Sequence, residues 1–273
     1  MTLTKITRFV KKYAPSSFLP FLSSLYRYRK SWAYFLFLGN NYECVFCKKS
    51  FRKFYSMKPN SPVMIEKKVI GGRTSNSICP FCESLDRTRH VYLYLKNETK
   101  IFHKNLKILH VAPEAQLRKV LLSNPQINYQ SIDLDSHKAM NQMDLTNLKF
   151  ENDEFDVIIC NHVLEHIPND RKAISELFRV LKKDGFAILQ VPISFSMEKT
   201  IEDATANTPE LREKKFGQND HVRIYGRDYL DRLHNAGFSI KLYSFAEEHE
   251  LSEVEKYSLI VDEKIFICSK GKE

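Results

Sequence analysis

The sequence lacks an apolar run long enough to form a transmembrane helix. Such a helix needs roughly 20 consecutive apolar residues, whereas the longest apolar run near the start covers only residues 32–38. Pro15 and Pro20 interrupt the early apolar region and no cleavage-site pattern follows it, so we expect no signal peptide. These features predict a cytosolic, cytoplasmic protein.

Acidic residues are missing from the start of the chain. Seven Lys/Arg and several aromatics, among them Phe9 and Trp32, precede the first acidic residue, Glu43. Residues 1–42 therefore make up a basic, aromatic N-terminal segment. Its composition is typical of a helix that lies in a membrane interface. Two interpretations stay open. Residues 1–38 make a peripheral contact with the inner face of the membrane, or the aromatics pack on the body and the charges face water.

The positive charge is concentrated in the front third of the chain. Residues 1–90 carry 17 Lys/Arg against 4 Asp/Glu, whereas the remainder carries 25 against 29. A basic face indicates an anionic partner, which can be nucleic acid, anionic lipid or a phosphorylated substrate.

Cysteine is scarce, and four of the six cysteines form two close pairs. Cys44 and Cys47 make one pair, and Cys79 and Cys82 make the other. Each two-residue gap lets both sulfurs face one ion, and two pairs complete a four-thiolate site for Zn²⁺. We therefore predict a zinc-ribbon-like subdomain over residues 43–90, with a structural zinc because no coordination position stays open. The alternative is ordinary buried or redox-active cysteines.

Two further expectations concern the surroundings of these pairs. The insert between them, with Lys67, Lys68 and Gly71, is consistent with short strands and turns. After the second pair we expect a helix that joins this subdomain to the body. Its Arg87, Arg89 and His90 either reach an anionic substrate or cap the helix and face solvent.

The rest of the chain, residues 91–273, alternates buried strands with amphipathic helices. This alternation predicts an α/β domain with a largely parallel sheet. The predicted strands cover residues 107–111, 129–133, 155–161, 186–191, 239–245 and 264–269, and the predicted helices include 115–122 and 170–182. We expect Gly185 to terminate the second of these helices.

The order of elements, with Asp133, Asp144 and the runs NHVLEHIP and VLKKDG in place, resembles class I S-adenosylmethionine-dependent methyltransferases. It looks closest to the quinone-biosynthesis branch. The resemblance covers about residues 105–270 and implies a Rossmann-like sheet, mostly parallel with an antiparallel last strand.

The resemblance also implies cofactor-binding residues. Asp133 would bind the ribose hydroxyls, and Asp144 with the backbone of Leu145 would read the adenine. Asn161 and His162 would lie beside the methionine part, near the sulfonium.

The chain lacks the glycine-rich first loop of this family. The sequence HVAPE, from His110 to Glu114, stands in its place. We expect His110 or Glu114 to contact the methionine ammonium or its surroundings.

A polar insert, which includes residues 216–225, is predicted to cover the acceptor. At an ordinary pKa near 6.5, His221 can act as a general base toward a hydroxyl. Alternatively, His221 and Arg223 face one phosphate together. With Tyr225, these are the candidate catalytic residues. The remaining interpretation is that the insert is a polar lid whose side chains form hydrogen bonds with one another.

These observations predict an S-adenosylmethionine-dependent methyltransferase. Its acceptor is expected to be an oxygen of a small molecule or a surface-glycan precursor, anionic in character. One alternative is an RNA methyltransferase whose zinc ribbon grips phosphates. Another is a non-catalytic scaffold, because the glycine loop is missing.

Overall fold

The computed structural model of the protein describes residues 35–57, 61–71 and 75–270. Most of the predicted N-terminal membrane segment lies outside these residues. No helix in the described ranges is long and apolar enough to cross a membrane.

Strands and short helices alternate along the described chain. The strands are β1 (Leu38–Glu43), β2 (Ser50–Phe51), β3 (Leu106–Val111), β4 (Ile127–Asp133), β5 (Asn141–Gln142), β6 (Phe155–Asn161), β7 (Leu181–Gln190), β8 (Ile201–Glu202), β9 (Arg223–Ile224), β10 (Ser239–Ser244) and β11 (Lys264–Ser269). The helices are α1 (Pro62–Glu66), α2 (Asp86–Asn97), α3 (Ala115–Leu122), α4 (Asp170–Val180), α5 (Pro209–Phe216), α6 (Tyr229–Asn235), α7 (Phe245–Glu248) and α8 (Leu251–Lys256).

A seven-stranded sheet forms the centre, in the order β10-β11-β7-β6-β3-β4-β5. The strands from β7 to β5 are parallel, and β11 is antiparallel to both of its neighbours. The predicted α/β fold class is therefore confirmed, including the antiparallel last strand.

Both faces of the sheet are covered, which explains the unbroken apolar run of β6. Ile158 and Cys160 join one core cluster, whereas Val157 and Ile159 join the cluster on the opposite face. A parallel strand buried on both faces reads as a continuous apolar run, because alternate side chains enter different cores.

The predicted end of helix α4 is wrong. The helix stops at Val180, and the following LKKDG residues already belong to β7, with Leu181 paired to Phe155. A Cβ atom on Gly185 would lie 2.7 Å from the carbonyl oxygen of Asp156. The glycine therefore permits close approach of two strands and does not terminate the helix.

The cysteine-containing segment is joined to the body more closely than predicted. Helix α2 runs across the expected boundary at residue 90. Arg89 is fully buried, and its guanidinium donates to the carbonyl oxygens of Ser77, Ser84, Tyr257 and Ser258 at 2.7–3.1 Å. The expectation that Arg89 faces solvent or caps its helix is wrong, because its guanidinium connects three separate segments.

Candidate active site

A cavity of about 370 Å³ opens where β3, β4 and β6 end. In open α/β sheets, ligands bind at this edge, in the crevice where the loops after two neighbouring strands run in opposite directions. Its lining includes Ala112, Asp133, Asp144, Leu145, Val163 and His166. A more open groove of about 850 Å³ borders Asp133 on the side of α3.

Asp133 ends β4 with one carboxylate oxygen available. Oδ1 accepts a hydrogen bond from the backbone of Asp135 at 2.8 Å. Among the described residues, Oδ2 has no hydrogen-bond partner. The carboxylate can therefore accept a hydrogen bond from a ligand hydroxyl while its own turn holds it in place.

Asp144 shapes the loop that lines the far end of the cavity. Its Oδ1 accepts hydrogen bonds from the backbone and the hydroxyl of Thr146, both at 2.8 Å. This local turn holds the buried Leu145 against the cavity. The predicted contact of Asp144 with adenine stays a prediction.

The loop after β3 achieves a tight turn without glycine. Ala112 adopts a left-handed backbone with φ of +47°, a conformation that glycine usually supplies because a Cβ atom is strained there. Its backbone nitrogen donates to the carbonyl of Ile132 at 2.8 Å. Strand pairing thus holds this loop in place.

Glu114 lies at the centre of a hydrogen-bond network beside this turn. Oε2 lies 2.8 Å from Nε2 of His110, and Oε1 accepts from Nδ2 of Asn161 at 3.1 Å. The Nδ1 atom of His110 lies 3.1 Å from the hydroxyl of Tyr129. Burial opposes ionisation of Glu114, but the hydrogen bonds of His110 and Asn161 outweigh it and lower the pKa of this carboxyl.

Asn161 and His162 bring unpartnered polar atoms to the end of β6. Among the described residues, Oδ1 of Asn161 and both ring nitrogens of His162 are buried without a hydrogen-bond partner. His162 has a φ of +53°, and its side chain is 4% exposed. Buried polar atoms without a partner are costly, so they indicate a site that a ligand completes.

Glu165 adds a buried carboxylate to this end of β6. Its side chain is 2% exposed, and Oε1 lies 3.5 Å from Nδ1 of His162. Burial opposes ionisation of Glu165. The close approach and charge of His162, followed by the charges of His166 and His221, outweigh this effect and lower the pKa of the carboxyl. Three histidines thus surround this buried carboxylate.

His221 lies against this carboxylate, as the polar insert folds back over β6. The backbone of Val222 donates to the carbonyl of Glu165 at 2.9 Å, and the rings of His221 and His166 meet edge to face at 4.8 Å. Burial lowers the pKa of His221 to about 4. The expected ordinary pKa is therefore wrong, and the imidazole is neutral at pH 7.

Arg223 and Tyr225 do not fit the predicted contact with an acceptor. Arg223 is buried, and its guanidinium donates to the carboxylate of Glu202 and to the carbonyls that follow β6 at 2.5–2.8 Å. The Tyr225 hydroxyl donates to Asp170 at 2.7 Å, and burial raises its pKa well above 10. We correct both to positioning residues, because their polar groups hold the insert on the body.

The insert between the cysteine pairs unexpectedly covers the same end of the sheet. Besides the short strand β2 it forms α1, and Ile70 then exchanges two backbone hydrogen bonds with Ile193 at 2.8 Å. A Cβ atom on Gly71 would lie 3.3 Å from Cε1 of His162. No local sequence signal predicts this, because the paired segments are more than 100 residues apart.

Residues 103–189 match a family model described as a methyltransferase domain. The chain is an S-adenosylmethionine-dependent methyltransferase. No curated protein matches the sequence.

Solved structures that this methyltransferase is similar to include the YcgJ protein from Bacillus subtilis. The two are 17% identical with a TM-score of 0.41, and the alignment covers 66% of this chain and 94% of the other. A second is phosphoethanolamine N-methyltransferase 2 from Haemonchus contortus, in complex with S-adenosylmethionine. It is 12% identical with a TM-score of 0.43, and the alignment covers 63% of this chain and 51% of the other.

The residues around the cavity of the methyltransferase fit the cofactor of this domain family, S-adenosylmethionine. The open Oδ2 of Asp133 suits a ribose hydroxyl. The ionised Glu114 and the unpartnered Oδ1 of Asn161 suit an ammonium group. The individual contacts predicted for His110, Glu114, Asp133, Asn161 and His162 stay predictions.

The four paired cysteines of the methyltransferase come together. Their sulfur atoms lie within 4.8 Å of one another, with Cys44 at 3.4 Å from Cys82 and Cys47 at 3.7 Å from Cys79. Bonds of about 2.3 Å in a tetrahedral site place sulfurs roughly 3.8 Å apart. The group could therefore hold a structural zinc, and it fits a zinc-ribbon-like subdomain.

Both cysteine pairs lie on the same type of turn. Lys48 and Glu83 follow the pairs with φ of +57° and +63°, and their backbone nitrogens donate to the carbonyls of Cys44 and Cys79 at 2.9 and 3.0 Å. Hydrogen bonds from the other thiols, Cys47 first, outweigh burial and lower the pKa of Cys44, whereas the hydrogen bonds to Cys44, together with burial, raise the pKa of Cys47 and Cys79. A thiolate is the form that binds zinc.

Proposed function

We propose that the enzyme transfers a methyl group to an oxygen of a small-molecule or surface-glycan-precursor acceptor. The observation that carries this proposal is the buried carboxylate of Glu165 among His162, His166 and His221, beside the cofactor cavity. The likeness of the NHVLEHIP run to the quinone-biosynthesis branch belongs to the same proposal.

The cofactor-binding half has a positioning role. When bound, S-adenosylmethionine supplies a methyl carbon activated by a sulfonium. Asp133 would bind its ribose, and Glu114 with Asn161 would bind its ammonium. His110 keeps Glu114 ionised, because its Nε2 lies 2.8 Å from the carboxylate.

The acceptor half of the site, formed by His162, Glu165, His166 and His221, has to accept a proton from the acceptor hydroxyl. A neutral hydroxyl becomes a good nucleophile only when its proton leaves, and a carboxylate next to an imidazole stabilises the imidazolium that forms. Glu165 and His162 make this arrangement, with Oε1 and Nδ1 3.5 Å apart. We assign the proton to this pair and not to His221, because burial makes His221 a weak base.

The cover of the site supports an acceptor that is enclosed during the reaction. Residues 61–71 and the polar insert meet over β6. There the Ser194 hydroxyl donates to the carbonyl of Lys67, and Gly71 approaches His162. A site closed by two segments excludes water, which strengthens electrostatic interactions inside it.

The proposed anionic character of the acceptor and the peripheral membrane contact rest on composition. Residues 1–90 have a large excess of Lys/Arg, and residues 1–38 combine them with aromatics. Arg89 and His90, which an RNA phosphate would need exposed, are instead buried in structural contacts. We therefore favour a lipid-linked or nucleotide-sugar acceptor over RNA.

The test begins with a thermal-shift and calorimetric titration of the full chain with S-adenosylmethionine and S-adenosylhomocysteine. Ligand at 100 times its dissociation constant adds about 2.7 kcal/mol to the free energy of unfolding. We expect binding to weaken in Asp133→Asn and to persist in Asp231→Asn, which changes an exposed carboxylate on α6. Equal affinity in both variants contradicts the assignment of Asp133.

Acceptor screening follows with methyl-labelled cofactor. Lipid-linked and nucleotide-sugar fractions are compared with total RNA from the same extract. Label in an alkali-stable ether on the small-molecule or lipid fraction is the expected result. Label confined to RNA supports the alternative acceptor, and the absence of cofactor binding leads to the scaffold interpretation.

A further inference from the structure

Three side chains of the acceptor half present ligand atoms to one point. Glu165, His166 and His221 each offer one such atom, and the three atoms lie within 4.8 Å of one another. Ligands that bind an ion at about 2.0–2.2 Å lie roughly 3–4 Å apart. Small side-chain movements therefore suffice to bring all three to one ion.

Part of the bonding capacity of these side chains is unused. Oε2 of Glu165 is buried without a hydrogen-bond partner among the described residues. The ring nitrogens of His221 also form no hydrogen bond within those ranges, although the residue is 3% exposed. A buried carboxylate oxygen without a partner is costly, which points to a ligand that completes it.

His166 is already oriented as a metal ligand. Its Nδ1 lies 3.2 Å from the carbonyl oxygen of Asp220, where it donates a hydrogen bond. Nε2, which lies 3.9 Å from Oε1 of Glu165, is then the nitrogen with a free lone pair. Metal-binding histidines commonly donate their other nitrogen to a carbonyl in this way, which fixes the tautomer and the ring orientation.

We propose that Glu165, His166 and His221 bind one divalent transition-metal ion at the acceptor end of the cavity. Two imidazoles and one carboxylate suit Zn²⁺, Mn²⁺, Fe²⁺ or Co²⁺ better than Mg²⁺ or Ca²⁺, which prefer oxygen ligands. Three protein ligands leave coordination positions for water or for the acceptor, unlike the four-cysteine site.

An ion at this position is accessible from the cavity. The His166 side chain is 34% exposed and lines the 370 Å³ cavity, whereas Glu165 and His221 are buried. Ions and acceptor oxygens therefore have an entry path on the side where the cofactor residues lie.

The chemical role of the ion rests on the proposed function, although the binding itself does not. A divalent ion acts as a Lewis acid and lowers the pKa of an oxygen ligand. An acceptor hydroxyl on the ion would lose its proton to Nε2 of His162, which has no hydrogen-bond partner among the described residues. In this arrangement His221 contacts the acceptor through the ion.

The test is a titration of the zinc-loaded full chain with Co²⁺, followed by absorption spectroscopy. Zinc is limited to one equivalent per chain, which occupies the tighter four-cysteine site, so added Co²⁺ reports on a second site. Nitrogen and oxygen ligands give cobalt bands without the intense thiolate-to-cobalt absorption of a cysteine site. We expect one additional equivalent of Co²⁺ with such a spectrum.

Glu165→Gln and His221→Ala should each weaken Co²⁺ binding by more than the roughly 10–100-fold that loss of a ligand's hydrogen-bond partner costs. His103→Ala, which changes an exposed histidine outside the cluster, should not alter it. Absence of a second equivalent in the wild-type chain overturns the proposal even if the variants fail to fold, as does binding that survives both substitutions.

Calorimetry with S-adenosylhomocysteine on the same samples separates this proposal from the proposed function. Cofactor binding without Co²⁺ binding rejects the ion alone. Absence of cofactor binding rejects the methyltransferase mechanism, while the Co²⁺ titration still decides the metal site.

Discussion

Asn161 donates a hydrogen bond from Nδ2 to Oε1 of Glu114 at 3.1 Å, which joins the end of β6 to the loop after β3. The two strands are neighbours in the sheet, so residues 47 positions apart meet at its carboxyl edge. The contact holds a negative charge beside the glycine-free turn after β3. Glu114 is therefore the residue of the glycine-free loop that we propose to bind the ammonium of the cofactor.

The first prediction concerns this charge. Glu114→Gln keeps the shape of the side chain but removes the carboxylate. We expect affinity for S-adenosylhomocysteine to fall at least about tenfold, because a hydrogen bond to a charged group contributes roughly 1.5–3 kcal/mol. Isothermal calorimetry measures this. Glu255→Gln, an exposed carboxylate on α8, is the matched control, and equal affinities in the two variants would show that Glu114 does not bind the ammonium.

The second prediction concerns the cysteine site. Cys79→Ser should reduce zinc from one ion per chain toward none and lower the melting temperature, because zinc binding in such sites contributes directly to folding. Elemental analysis and thermal unfolding measure both effects. Cys268→Ala, which changes a buried cysteine outside the cluster, should retain its zinc. One zinc per chain in Cys79→Ser would contradict a four-thiolate site.

The third prediction separates positioning from catalysis in the polar insert. Arg223→Met should lower the free energy of unfolding by roughly 3–5 kcal/mol, because it leaves buried carbonyls and Glu202 without their donor. Tyr225→Phe should cost about 1 kcal/mol. Urea unfolding measures both, with Arg171→Met, an exposed arginine on α4, as the control. A stable Arg223→Met enzyme that loses only turnover would restore a catalytic role for Arg223.

The fourth prediction is a dependence of stability on pH. The pKa of His221 is about 4 in the folded chain and about 6.5 unfolded. The unfolded state therefore binds the proton first, and stability falls as pH decreases from about 6.5 to 4. The loss is about 3 kcal/mol at roughly 1.4 kcal/mol per pKa unit.

Urea unfolding of metal-free wild type and His221→Gln at several pH values checks this. The variant should lack that part of the acid destabilisation, whereas His103→Gln should match the wild type. Parallel stability curves for wild type and His221→Gln would show that His221 is not held neutral by burial.

Much of the fold is predictable from the sequence because local patterns determine it. The continuous apolar run of β6 and the periodicity of α3 predict their observed bounds. The end of α4 was missed because the cations and Gly185 have the composition of a helix terminus, whereas pairing of Leu181 with Phe155 extends β7 instead. Tertiary pairing overrode a local signal.

The candidate site also has parts that the sequence predicts and parts that it does not. The cysteine cluster and the position of Asp133 follow from spacing along one chain segment or one strand. The burial of Arg223 and the approach of Gly71 to His162 depend on segments distant in sequence, and no residue pattern encodes them. His221 was assigned a normal titration because its burial is visible only in three dimensions.

Residues 61–71, which form part of the cover, lie along the chain between the two cysteine pairs whose four sulfurs cluster together. Closing a flexible loop costs conformational entropy that grows with its length. A metal ion that binds both cysteine pairs imposes this entropy loss when the protein folds. The cover is therefore already largely ordered before the acceptor binds. Acceptor affinity in this enzyme should therefore depend on the zinc status of the cell, although the zinc touches neither substrate.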